Sequence, residues 1–223
     1  MDLGKALNNL SNTLSFLGQD AEALDKIQQA VASFRKSSEA NSKKYRSYLG
    51  CPLINLFVCL GWMGQHHEAR RMIQESVDIY RQLVDADHDD QAYAEYLSFA
   101  LCLLSIRLDK LGSQPAESIK PLQEAVRTYR KLVEDRPELR QELVWCLDRP
   151  ADRYHQLKKF DSAITTIQEA VGIYRDLAAS ELAIVEEDLA VSFYTLSVCL
   201  EAVGRDLDAL EAIDEALEIY RRM

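Results

Sequence analysis

The sequence predicts an all-α protein, an α-solenoid of about five helical hairpins forming a single repeat domain over residues 1–223. Three observations point to it. An apolar–glycine landmark recurs at Leu17-Gly18, Met63-Gly64, Leu111-Gly112 and Val203-Gly204, with Leu157-Lys158 in the same register, at intervals of 46, 48, 46 and 46 residues. Behind each landmark comes an aromatic residue followed by arginine: Phe34-Arg35, Tyr80-Arg81, Tyr129-Arg130, Tyr174-Arg175 and Tyr220-Arg221. Helix formers dominate, alternating β-branched stretches are scarce, and only 8 Gly and 5 Pro interrupt the chain.

The units run at about 3–48, 49–96, 97–142, 143–188 and 189–223. In the first, Leu7, Leu10, Leu14 and Leu17 form one helical stripe; beyond Gly18 a second stripe runs Leu24, Ile27, Val31, Phe34. Gly18 suits the left-handed turn that ends a helix, and Gln19-Asp20 begins the next. Small residues at Ala23, Ala69, Ser118, Ala163 and Ala209, and again at Ala30, Ser76, Ala125, Ala170 and Ala216, let helices approach closely, and the recurring aromatic fills the wider gap beside them. In the second unit Pro52, after Gly50-Cys51, is expected to start a fresh helix, and His66-His67-Glu68 to start another after Gly64-Gln65. Pro121 lies within about two turns of a helix start and is tolerated. Pro150 falls inside the first helix of the fourth unit and is expected to break it near Asp148-Arg149.

Composition bounds the function. Hydrophobic residues at 48% and charged residues at 28% are those of a packed globular protein, not a disordered one. A formal net charge of −10 repels nucleic-acid phosphates and anionic membrane surfaces, so neither is an expected partner. Cys51, Cys59, Cys102, Cys146 and Cys199 lack CxxC spacing and sit in apolar helical stretches, as reduced core thiols do. No apolar run is long enough for a membrane span, and Met1-Asp2-Leu3-Gly4-Lys5 is not a signal peptide; a cytoplasmic protein is expected.

The unit Leu10-Ser11-Asn12-Thr13-Leu14-Ser15-Phe16-Leu17-Gly18, followed by Ala23, Ala30 and Phe34, resembles a tetratricopeptide repeat. All five units match in part, over essentially residues 3–223. Their period exceeds that family's usual length of about 34 and is nearer the long-helix variety of kinesin light chains and of repeat arms in fungal and bacterial sensor proteins. Residues 41–49, 89–97 and 182–189 would supply the additional helix length. The resemblance implies a right-handed α-solenoid whose first helices line a concave groove for a peptide or protein; no cofactor and no metal are expected, since no motif for either occurs.

Spacing from each glycine then nominates the groove. Asn8 and Asn12 come from the first unit, Ile54, Asn55, Val58 and Trp62 from the second. Cys102, Ile106, Asp109 and Lys110 come from the third, Asp148, Asp152 and His155 from the fourth, and Tyr194 from the fifth. The row is amide-rich at one end, apolar in the middle and charged at the other, which suits a peptide with apolar anchors and a basic group. Only Lys5 and Lys110 stand where a terminal carboxylate would be clamped in the first three units, which argues against a chaperone-tail ligand.

Chemistry-bearing motifs are few. Asp85, Asp87, His88, Asp89 and Asp90 form an acidic run without the spaced ligands of a calcium loop and read as a solvated connection. His66-His67-Glu68 is not a zinc motif, and no GxGxxG, Walker loop or GxSxG occurs. Asp152 and His155, three apart on one helix, are the one candidate acid–base pair. The leading expectation is therefore a non-catalytic scaffold or adaptor binding a peptide in the groove. Two alternatives stand beside it, an enzyme with a site in the groove and a self-associating homo-oligomer. The latter follows from Tyr220-Arg221-Arg222-Met223, which brings no polar capping helix, and from a first helix without lead-in; a trimmed parent protein would explain both equally.

Overall fold

The computed structural model describes residues 2–40, 42–87, 90–179 and 185–223. The chain divides into two compact units, Met1–Ser113 and Gln114–Met223. The first holds α1 (Asp2–Phe16), α2 (Asp20–Ala40), α3 (Ser42–Trp62), α4 (His66–Ala86) and α5 (Gln91–Lys110). The second holds α6 (Pro115–Asp135), a 3-10 turn at Pro137–Leu139, α7 (Arg140–Asp148), α8 (Ala151–Gln156), α9 (Phe160–Ala179), α10 (Glu186–Glu201) and α11 (Asp206–Arg222). Among the described residues there is no strand, and the all-α expectation holds.

The glycine landmarks close the hairpins as expected. Gly18, Gly64, Gly112 and Gly204 take φ of 69–75°, and Lys158 takes 54° in the register that lacks glycine. After each, one amide reaches back over the turn: Gln19 to Leu14 O, Gln65 to Leu60 O, Ser113 to Leu108 O, Lys159 to Tyr154 O and Arg205 to Leu200 O, all at 2.8–3.0 Å. These bonds satisfy carbonyls that a helix end otherwise leaves open.

The prolines behave differently from one another. The helix breaks at Pro150, α7 ending at Asp148 and α8 starting at Ala151. Pro121 lies within α6 without ending it. Pro52 departs from expectation: it stands inside α3, which already runs from Ser42. Leu53, Leu56, Phe57 and Leu60 beyond it are all buried, and that packing offsets the missing backbone donor.

In the first unit α2 packs on α1 and α3, and α4 on α3 and α5. Close approach is made by small residues: Ser11 Oγ donates to Ala23 O at 2.8 Å and Ser76 Oγ to Gly50 O at 3.1 Å. Phe34 lies over Gly4 and Tyr80 over Gly50, so tightly that a Cβ on Gly50 would meet the Tyr80 ring at 2.4–2.7 Å. Each buried aromatic contributes ~2 kcal/mol of apolar burial. Cys51 and Cys59 are free thiols, whereas Cys102 is disulfide-bonded, a correction to the expected reduced thiol.

In the second unit α9 packs against α7, α8 and α10, α6 against α7 and α8, and α10 against α11. Ala163 and Ala170 are fully buried, with Tyr174 beside them. Cys199 is a free thiol; Cys146 is disulfide-bonded, again contrary to expectation. His88 and Asp89 of the acidic run, Asn41, and Leu182 lie outside the described residues. Asp90 caps α5, its carboxylate accepting from Ala92 N at 3.0 Å, which gives that part of the run a local role.

Candidate functional site

In the first unit, the first helices of three successive repeats border a cavity of about 380 Å³. Each contributes a pair of residues three apart, which places the pair on one helix face: Lys5 and Asn8 from α1, Tyr48 and Cys51 from α3, Tyr93 and Tyr96 from α5. The buried rings of Phe34 and Tyr80, from α2 and α4, also line it.

The lining is polar yet almost uncharged. The Lys5 ammonium stands 4.5 Å from the Tyr48 ring centroid, a cation–π contact. Asn55 Nδ2 donates to Asn8 Oδ1 at 2.9 Å, which fixes the Asn8 amide with its own nitrogen still available to donate. Tyr80 stacks on Tyr96, with centroids 5.3 Å apart and planes 18° from parallel, and the Tyr80 hydroxyl lies 3.0 Å from Cys51 Sγ. Burial pushes the Cys51 thiol up, against the opposing hydrogen bonds of Tyr80 and Tyr96. Burial likewise holds the Tyr80 phenol far above its usual range, and the neighbouring Cys51, more than burial, raises that of Tyr96. At neutral pH Cys51 thus presents a protonated thiol, and Tyr80 and Tyr96 neutral phenols, to the cavity.

A wider opening of about 870 Å³ lies along α4, lined mainly by polar and charged side chains with Leu49 and Ile79 beneath them. Its Arg35 is already engaged by Glu75 at 2.6 Å, so it is the less discriminating of the two surfaces.

The sequence-expected groove residues scatter. Asn8 and Asn55 meet, as described. Asn12 and Lys110 are exposed, Ile106 and Asp109 partly covered, and Val58 exposed beside Trp62, whose side chain is 74% exposed. Ile54 and Cys102 are corrections: both are buried, and Cys102 is also disulfide-bonded, so neither side chain meets a groove ligand. Asn8 and Tyr194 occupy the same register, ten residues before the turn glycine, and are not buried, so the register alone does not set the burial of Ile54 and Cys102.

In the second unit Asp148 is another correction, because its carboxylate is consumed internally. Tyr174 Oη donates to Asp148 Oδ2 at 2.5 Å and Ser192 Oγ to Oδ1 at 2.9 Å. Burial pushes its carboxyl up to about 6, outweighing those two hydrogen bonds. His155 is exposed and meets Phe160 edge-on at 5.2 Å; the Asp152 side chain, the other half of the candidate acid–base pair, lies outside the described residues. Tyr194 is exposed on α10 at the edge of a cavity of about 450 Å³ shared with α11. Among the described residues no three His, Cys, Asp or Glu side chains gather as a metal would need, and no helix is long and apolar enough to cross a membrane.

Two features escaped the sequence reading although both left a signal. The tyrosines of the cavity descend from a repeated Tyr-x-x-Tyr, Tyr45 to Tyr48 and Tyr93 to Tyr96, in one register of two units. The arginine after each recurring aromatic has a partner one repeat on: Arg35 with Glu75 in the first unit, Arg130 with Glu169 and Arg175 with Glu215 in the second. A glutamate five residues before Tyr80, Tyr129, Tyr174 and Tyr220 announces it.

Comparison with known proteins agrees with this architecture. Residues 3–41 and 60–90 match the family described as Tetratricopeptide repeat, and residues 86–148 and 151–183 the family described as Anaphase-promoting complex subunit 5. No curated protein matches the sequence. Among solved structures, BtubC (BKLC) from P. vanneervenii superposes with a TM-score of 0.76 at 15% identity, covering 98% of this chain and 80% of that one. A Podosopora anserina putative kinesin light chain with nearly identical TPR-like repeats gives 0.70 at 17% identity, covering 98% and 95%. The apo form of RapI gives 0.67 at 13%, covering 98% and 70%. At these identities the likeness is one of fold. The hairpins within residues 3–41 and 60–90 are similar to tetratricopeptide repeats, and the fold of the chain is similar to that of the kinesin light chain-like repeat proteins.

Proposed function

We propose that this chain is a non-catalytic interaction scaffold that holds a peptide segment of a partner protein against the α1–α3–α5 face of its first unit. The observation that carries the reading is the cavity where three first helices each offer a pair of polar or aromatic side chains around Lys5, Asn8 and Tyr96. Phe16, 93% exposed, and Trp62 lie at the far ends of α1 and α3 and supply apolar contacts. Tyrosine-rich, nearly neutral surfaces gain affinity from area and hydrogen bonding at low side-chain entropy cost. The cavity lining holds no carboxylate, so a basic group on the ligand answers only to the net charge of −10. The likeness to a subunit of a named complex and to kinesin light chain-like repeats supports a part that works inside assemblies.

The test uses a displayed library of random 12-residue peptides. Binders are expected that lose at least tenfold in affinity on Tyr96→Ala or Lys5→Glu, while Trp62→Ala weakens them less and helicity is unchanged. Binders indifferent to all three substitutions would place the ligand elsewhere and refute the reading.

A further inference from the structure

The second unit holds a cavity of its own, about 370 Å³ between α6, α8 and α9, apart from the peptide face of the first unit. Leu122, Val126 and Pro150 make its apolar side, and all three are buried. Its polar side is Gln123, Arg127, Arg130, Tyr154 and Thr166, and no carboxylate stands among the described residues that line it.

A matched hollow in the first unit shows what is particular to this one. It measures about 310 Å³ and lies between α2, α3 and α4, at the same distances from the recurring aromatic and the hairpin turn. There Glu68 and Glu75 line the wall with Arg35 and Arg71, so the charges cancel. Where the first unit has Ala32, Leu60 and Met72, the second has Arg127, Tyr154 and Thr166; where it has Glu68 and Arg71, the second has Ser162 and Thr165. One hollow is self-neutralised, and its counterpart keeps donors without a carboxylate on its wall.

The engagements of those donors fix the charge of what fits. Arg130 gives Nε and Nη2 to Glu169, which balances its charge and leaves Nη1. Arg127 gives Nε to Gln123 O at 3.1 Å and has no ion pair among the described residues, so both Nη groups and a full charge remain. Tyr154, 8% exposed, accepts from Gln123 Nε2 at 3.0 Å, and its own proton meets no acceptor among the described residues. A ligand oxygen would satisfy that buried donor. Thr166 is not a further donor, because its Oγ1 already donates to Ser162 O at 2.7 Å.

We propose that this cavity binds a small organic monocarboxylate. Its oxygens accept from Arg127, Arg130 and Tyr154, and its aliphatic or aromatic body rests on Leu122, Val126 and Pro150. A carboxylate carries the single negative charge that Arg127 leaves unbalanced, whereas a phosphate dianion brings one charge more. The volume of about 370 Å³ stands at the lower end of the range for ligand pockets, so the body is small.

Titration of benzoate into the whole chain at low salt, followed by amide chemical shifts in NMR spectra, tests this. Benzoate should bind with a Kd of about 1 mM or tighter and shift amides of α6, α8 and α9. Benzamide, the same ring without the charge, and inorganic phosphate, the charge without the ring, should each bind at least about fivefold more weakly. Arg127→Gln should weaken benzoate about five- to tenfold and Tyr154→Phe about threefold. Circular dichroism checks the helicity of both variants; Arg127 is exposed, so Arg127→Gln decides alone if Tyr154→Phe does not fold. The proposal is overturned by an absence of binding at about 10 mM, by benzamide or phosphate binding as tightly as benzoate, by shifts confined to the first unit, or by Arg127→Gln without effect. Peptide capture by the first unit should survive Arg127→Gln, so this proposal and the groove reading fail separately.

Discussion

Arg130 grips Glu169, 39 residues further on, with both ends of the fork: Nε donates to Oε1 at 2.9 Å and Nη2 to Oε2 at 2.5 Å. The pair joins α6 to α9 across a repeat boundary, as Arg35 and Glu75 join α2 to α4. Bidentate geometry makes this the firmest rung of the ladder. Its side chains are nonetheless 46% and 32% exposed, so water and salt screen it.

A double-mutant cycle with Arg130→Ala and Glu169→Ala should therefore give a coupling of only ~0.5–1 kcal/mol, falling toward zero in 1 M NaCl. Chemical denaturation measures it. A coupling unchanged by salt would mean that the pair is shielded from solvent, contrary to its exposure.

Asp148 should make stability depend on pH. Its folded pKa of about 6 lies above the ordinary 3.8, so between those values the native state holds a proton that the unfolded chain releases. The stabilisation is present below the lower value and is lost as pH rises through the upper one. Asp148→Asn, which keeps partners for Tyr174 and Ser192, should be near neutral at pH 4 and more stable than the parent by ~1–3 kcal/mol at pH 7.5. Thermal melts at both values decide; equal shifts at both would show that burial does not set this carboxyl.

Lys158 occupies a left-handed turn that glycine fills in the other four hairpins. Lys158→Gly should raise stability by ~0.5–1 kcal/mol, by removing the Cβ strain of that conformation. A loss of stability in urea titration would mean that the lysine side chain holds the turn in some other way.

Gly50 and Gly172 should respond oppositely to alanine. A methyl group on Gly50 meets the Tyr80 ring at 2.4 Å, and moving that ring disturbs both the Cys51 contact and the stack on Tyr96, so Gly50→Ala should cost ~1–3 kcal/mol. Nothing lies within 4 Å of the same methyl on Gly172, inside α9, where Gly172→Ala should gain ~0.5–1 kcal/mol from helix propensity alone. Two variants with the same sign of effect would break the packing argument.

The hairpins were legible because their causes are local. A glycine turn, a small residue and an aromatic at fixed spacing act within one or two helical turns of themselves, so repetition reveals them. The break at Pro150 was legible for the same reason. Pro52 was misread because what keeps α3 continuous is the burial of Leu53, Leu56, Phe57 and Leu60, which a local rule about proline cannot weigh.

The sequence by itself determined the all-α class, the glycine turns and the close-packed small–large pairs, whereas the unit boundaries read at 48/49, 96/97, 142/143 and 188/189 fall inside α3, α5, α7 and α10. Only the tertiary structure decided which face of each first helix is covered. Ile54 and Cys102 disappeared into packing and Asp148 into its bonds with Tyr174 and Ser192, while Lys5, Tyr48 and Tyr96 came together around one cavity. Exposure and proton affinity are set by neighbours distant in the chain, and a helical period specifies the angle of a side chain without specifying what lies opposite it.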